Sequence, residues 1–366
     1  MGYTHVSPIE LFMFLQKVFY YEEGLYHMIE DQVRFKPNNR ESLYKGVRQW
    51  NRGNRSNGPI ELWNTTRITD MSYLFRNLTT EKMEGLKINT WDVSRVTTME
   101  GMFLNCRIFN LPLNRWDVSS VTNLCRTFQG CRLFNQPLNL WKVGSVKSLC
   151  RTFINCRTFN QSLENWDVSS VTNMGSLFSN CRNFNQPVEK WEVGRSTKMS
   201  NMFNGCFRFN QPLENWDVRS VKTMEEMFNG CSHFNHPLEK WNVSRVTKMS
   251  SMFSSCKKFN QLLENWDVRR VTEMECMFSN CLMFNSPLEK WEVSRVTLMN
   301  GMFLYCEVFN QPLDLWNVQK VLNMQMMFYS CKRFNQSLEK WKVCYSTNLT
   351  DMFTDSLYQK KQLRLS

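Results

Sequence analysis

The sequence predicts an α/β repeat solenoid, with a parallel sheet of short strands on one side, short helical turns on the other and a helical N-terminal cap. Two observations predict it. Eleven tryptophans, from Trp91 to Trp341, stand 25 residues apart without a slip. An exact period of that length marks an array whose units bury their apolar stripes only against one another. Within each period the apolar spacing then changes from two residues to three and four, so strand-like and helix-like pieces alternate. A chain of 366 residues is also too long for one ordinary compact core.

With Trp counted as position one, Val stands third in every unit, and position six is Val except at Ser196 and Ser346. "W-x-V" buries both side chains on one face if it is a short strand. Met or Leu at nine, Phe at thirteen and Cys at sixteen follow at three- and four-residue spacing, which predicts a helical or 3₁₀ turn. Phe, Asn and Leu or Val at nineteen, twenty and twenty-three complete the unit, and Pro in "FNQPL" ends the turn. Such a unit is leucine-rich-repeat-like, with Trp and Val in leucine places. Strands about 4.8 Å apart would make a sheet roughly 50 Å long. An imperfect first unit starts at Trp63 and runs 28 residues to Trp91.

Three regions follow. Residues 1–60 form a helical cap and linker, 61–355 an array of about twelve repeats, and 356–366 a basic tail. In the first region Ser7-Pro8 starts one helix, Arg40 to Trp50 carries a second, and "NRGNRSNGP" is the linker. This pair either seals the open first repeat or docks a partner.

The phrases "FNQPLENWDVSSVTNM" and "MFxxCxxFNQPL" resemble the repeats of the BspA-like surface-protein family, 25-residue leucine-rich-type units found also in mycoplasma lipoproteins and large DNA viruses. The lead-in from Ser42 to Phe75 is similar to the segment that opens such arrays, and the resemblance covers about residues 42–355. It implies binding or structural display and carries over no catalytic residue. No lipoprotein signal, wall anchor or 18-residue apolar run is recognised, so the expectation is an intracellular protein, in the cytoplasm or in a virion if virus-encoded.

Outward columns beside "W-x-V" alternate with a 50-residue beat. On the expected sheet face, Asp167, Lys190, Glu192, Asp217, Lys240, Asp267, Lys290 and Glu292 are the candidate partner-binding residues. The net charge of +12 gathers elsewhere, and Arg195, Arg245, Arg270 and Arg295 at position five make a candidate basic edge. That edge could hold nucleic-acid phosphates, although the aromatics lie at core phase and offer no stacking platform. Asn160, Asn185, Asn210, Asn235 and Asn260 are expected to form a structural ladder that satisfies backbone groups at the bend.

The remaining chemistry is sparse. Ten of fourteen cysteines recur at position sixteen, as buried reduced thiols would. His233 and His236 flank Cys231, but the repeat phase turns the three apart, so no metal or other cofactor is expected. Asp117, Asp167, Asp217 and Asp267 recur by repetition as scaffold does, and no catalytic motif is found. The function expected is non-enzymatic: a scaffold that binds a protein partner or larger assembly. The alternatives are a nucleic-acid-associated protein and a bacterial-type surface adhesin.

Overall fold

The computed structural model describes residues 34–78, 86–358 and 364–365. The helix expected from Ser7 and the three residues inserted before Trp91 lie outside the described residues. The second helix is α1, Arg40–Asn51, capped by Asn39, whose side chain accepts from the Ser42 N–H. Its inward residues are Leu43, Gly46, Val47 and Trp50. They meet the first unit where Phe35 stands edge-on to Trp63, ring centres 4.9 Å apart. Arg40 reaches on to the Ser72 carbonyl at 2.8 Å. Only a small residue fits at Gly46, because a Cβ there would lie 2.7 Å from the Phe35 ring.

From Asp70 to Asn348, residues in consecutive units pair as isolated parallel bridges, Thr223↔Lys248 among them. The unit from Trp216 shows how this arises. Met224, Glu226, Phe228 and Gly230, positions nine, eleven, thirteen and fifteen, donate their N–H groups to Lys248, Ser250, Met252 and Ser254 of the next unit. Lys222 donates back to Thr197, so positions seven to fifteen bond to neighbours on both sides.

Within the same stretch the chain closes successive three-residue hydrogen bonds: Met227 to Met224, Cys231 to Phe228, Phe234 to Cys231. These are β-turns, not the short helical turns that the spacing predicts. Glu226 has φ 55° and Gly230 φ 75°, and the two equivalent positions are left-handed in every described unit. Positive φ at the third residue of a four-residue turn is what a type II turn requires. It interrupts any helix and turns alternate N–H groups toward the next unit. A chain of turns satisfies the same three- and four-residue apolar spacing as a helix does.

The second difference concerns "W-x-V". Among the described residues this segment carries regular strand only at β1, Lys342–Val343, which pairs in parallel with β2, Arg364–Leu365. Arg364 and Leu365, in the expected basic tail, thus pair along the last unit. Elsewhere the Trp side is joined by side chains. From Trp116 to Trp341 each indole N–H donates to the carbonyl 28 residues back, Trp241 to Leu213 at 2.9 Å and Trp266 to Leu238 at 3.0 Å.

The interior consists of columns. Trp241 and Trp266 stack at 6.4 Å, Phe203 and Phe228 at 5.8 Å, Phe209 and Phe234 at 6.0 Å. Every Cys at position sixteen is fully buried. Its thiol donates to the position-thirteen carbonyl of the preceding unit, Cys231 Sγ lying 3.0 Å from the Phe203 oxygen. Burial pushes these thiols up, Cys331 to about 12. Ser196, one exception to Val at position six, is also buried, because its hydroxyl donates to the Val171 carbonyl at 2.9 Å.

Candidate interaction surfaces

The outward columns divide by what their polar atoms already hold. The ladder asparagines are engaged throughout: each side-chain oxygen accepts the backbone N–H of the next. Asn160, Asn185, Asn210 and Asn235 receive Asn185, Asn210, Asn235 and Asn260 at 2.8–3.0 Å. Gln211 and Gln261 add a second donor to the same oxygens.

Asp167, Asp217 and Asp267 are also engaged, closing their own turns. Their carboxylates accept the N–H two residues on, from Ser169, Arg219 and Arg269. The side chain of that same residue donates as well, and together the two hold these carboxyls below the usual range. Asp217–Arg219 and Asp267–Arg269 are bidentate pairs at 2.7–2.8 Å.

Lys190, Lys240 and Lys290 reach one unit back to Glu164, Glu214 and Glu264, at 2.6, 3.7 and 3.1 Å. The 50-residue beat therefore has a physical correlate: from Lys190 on, every second unit carries a position-25 lysine, and each meets the position-24 acid one unit back, Lys340 with Asp314 included. Of the eight residues expected to meet a partner, six are already bonded within the chain. Glu192 and Glu292 are exposed and have no bonded partner among the described residues, and "W-x-V" beneath them is not a hydrogen-bonded sheet face.

The arginines differ. Arg195, Arg245, Arg270 and Arg295 are exposed, and their guanidinium groups hold no ion pair in the described structure. The last three line one shallow groove of about 910 Å³ across three consecutive units, together with Thr247, Thr272, Ser244 and Ser294. Arg269, Asp267 and Glu292 complete its wall. The spacing of Arg270 was legible in the sequence; the contribution of Arg269 was not, since its unit alone carries two arginines there.

The histidines point to separate acceptors. His233 Nδ1 lies 2.9 Å from the Phe207 carbonyl and His236 Nε2 3.1 Å from that of Asn210, while Cys231 faces the interior. Among the described residues no three His, Cys, Asp or Glu side chains converge as metal ligands would. No helix there is long and apolar enough to cross a membrane.

Three overlapping stretches, 41–165, 147–266 and 256–364, match the family described as "Mycoplasma protein of unknown function, DUF285". Together they cover most of the chain, which belongs to this mycoplasma-type repeat family. No curated protein matches it.

Proposed function

We propose that this protein is a leucine-rich-repeat-like solenoid of the BspA-like kind, and that it works as a non-enzymatic, protein-binding scaffold in a larger assembly. The observation that carries the reading is the contrast just described: most repeated polar residues are already bonded within the chain, whereas Arg245, Arg270 and Arg295 hold no ion pair among the described residues and line one groove. Three guanidinium groups in register, about 4.8 Å apart if they follow strand spacing, favour a surface of carboxylates that can accept bidentate bonds. The partner is therefore read as a protein with an acidic face. Residence inside a cell or virion belongs to the same proposal.

The same column favours the second reading, a polyanionic nucleic acid. The test is to purify the protein with its native complex at low salt, then repeat the purification after nuclease and at high salt. A protein partner that survives nuclease and is lost on Arg245→Ala/Arg270→Ala/Arg295→Ala supports the scaffold. Complexes that vanish with nuclease assign the groove to nucleic acid. Substrate turnover by the purified protein would overturn the non-enzymatic reading.

A further inference from the structure

Four cysteines stand outside the buried column: Cys125, Cys150, Cys276 and Cys344. Two of them form a pair. Cys125 and Cys150 occupy position ten of consecutive units, both half-buried. The register is set on either side, because Asn123 pairs with Ser148 and the Arg126 N–H donates to the Cys150 carbonyl at 2.9 Å. Directly opposed residues of a parallel ladder lie about 5 Å apart, inside the Cα range that a disulfide spans.

Ser148 links the polar atoms of the pair. The Cys150 N–H approaches the Ser148 hydroxyl at 3.5 Å, and that oxygen lies 2.8 Å from Cys125 Sγ. Proximity of the two thiols pushes Cys125 up and lowers Cys150 to about 6. Burial opposes the lowering of Cys150, while Arg151, Arg126 and Lys198 assist it. Two half-buried thiols in register on consecutive units, one of them lowered by the other and by neighbouring cations, have the arrangement of a reactive cysteine beside its resolving partner. The ten column thiols also neighbour one another, but they are fully buried and burial pushes them up.

We propose that Cys125 and Cys150 are a peroxide-sensitive dithiol, oxidised to a disulfide that staples two consecutive units on the outer face. The Cys150 thiolate attacks one oxygen of a hydroperoxide; the S–O bond forms, the O–O bond breaks, and the displaced alkoxide leaves as the alcohol with one proton. The Cys125 sulfur then attacks the Cys150 sulfenic acid. The S–S bond forms, the S–O bond breaks, and hydroxide departs with the Cys125 proton as water. Two thiol sulfurs lose two electrons, and the peroxide gains them.

The experiment uses the folded full chain with hydrogen peroxide, followed by alkylation and peptide mapping. The expected result is a linked pair of tryptic peptides carrying Cys125 and Cys150, formed while the ten column thiols stay reduced and reversed by a dithiol reductant. Before oxidation, Cys150 should react with iodoacetamide roughly tenfold or more faster than the column thiols at neutral pH. In Cys125→Ser the sulfenic acid has no resolving thiol, so dimedone should label Cys150. In Cys150→Ser, Cys125 should remain reduced. Circular dichroism of both variants reports whether they fold as the parent does. Linkage of other cysteines first, or alkylation of Cys150 no faster than the column, overturns the proposal.

Discussion

The two sides of each unit hold their neighbours by different means. On one side, positions seven to fifteen use backbone N–H and carbonyl groups, and almost any side chain can stand outward. On the other, the Trp, Cys and Asn columns donate or accept through particular atoms of particular side chains. The difference explains why the outward positions eight, ten and eleven vary freely while Trp recurs without exception. A backbone ladder tolerates substitution; an indole-to-carbonyl bond does not.

Substitutions on each side can break that comparison. The largest effect is expected from Phe228→Ala, which opens a gap in a column stacked on both faces and should cost about 3–5 kcal/mol. Denaturant unfolding checks it, and a loss below that of Trp241→Phe would show that the Phe column is not the main support. Trp241→Phe keeps a ring but leaves the Leu213 carbonyl without its donor, at about 1–3 kcal/mol by the same measurement.

Gly205→Ala tests the turn side. Its φ is +70°, and a Cβ would meet the Asn180 side-chain oxygen at 2.4 Å, so a cost of about 1–2 kcal/mol is expected. Stability equal to the parent's would mean that this turn does not need its left-handed residue. Cys231→Ser against Cys231→Ala isolates the buried thiol. The serine hydroxyl can still donate to Phe203, and the alanine should be the less stable by about 1 kcal/mol if that bond matters.

The smallest effects belong to the outer charges. Lys190→Ala removes an exposed pair that solvent screens, and thermal melts should not separate it from the parent. The carboxyls of Asp117, Asp167, Asp217 and Asp267 are held low in the folded chain. Their contribution is therefore complete above the ordinary carboxylate range. It is lost as pH falls from about 4 toward their lowered values. Unfolding at successive acid pH values, compared with Asp217→Asn, measures a loss that solvent screening keeps under about 1 kcal/mol per group.

Much of the interior was legible. Trp, Val, Phe and Cys recur at one phase, and the same residues are the buried columns. The register of Asn160 to Asn260 was legible too, because one polar residue type cannot recur beside a core unless each copy meets the next. The backbone path was not. Met224, Met227 and Phe228 fit a helical face and a chain of turns equally, since both return every third or fourth residue to one side. A partial signal existed at position fifteen, where Asn180, Gly205, Gly230 and Asn280 tolerate left-handed backbone. Position eleven gave less: Gly101, Asn201 and Gly301 stand there, but so do Arg126, Glu226 and Met326 in the same conformation.

The candidate surfaces divide in the same way. A count of lysines and aspartates identified the outward columns but not their partners. Lys190 meets Glu164 only because residues 26 apart lie on adjacent units. The sequence alone determined the period, the buried columns and the phase of every outward position, because burial follows composition at a repeated spacing. Tertiary structure decided which N–H groups face the next unit, which charges are already paired, and how exposed the two position-ten cysteines are. Those outcomes depend on distances between units, and no single unit contains them.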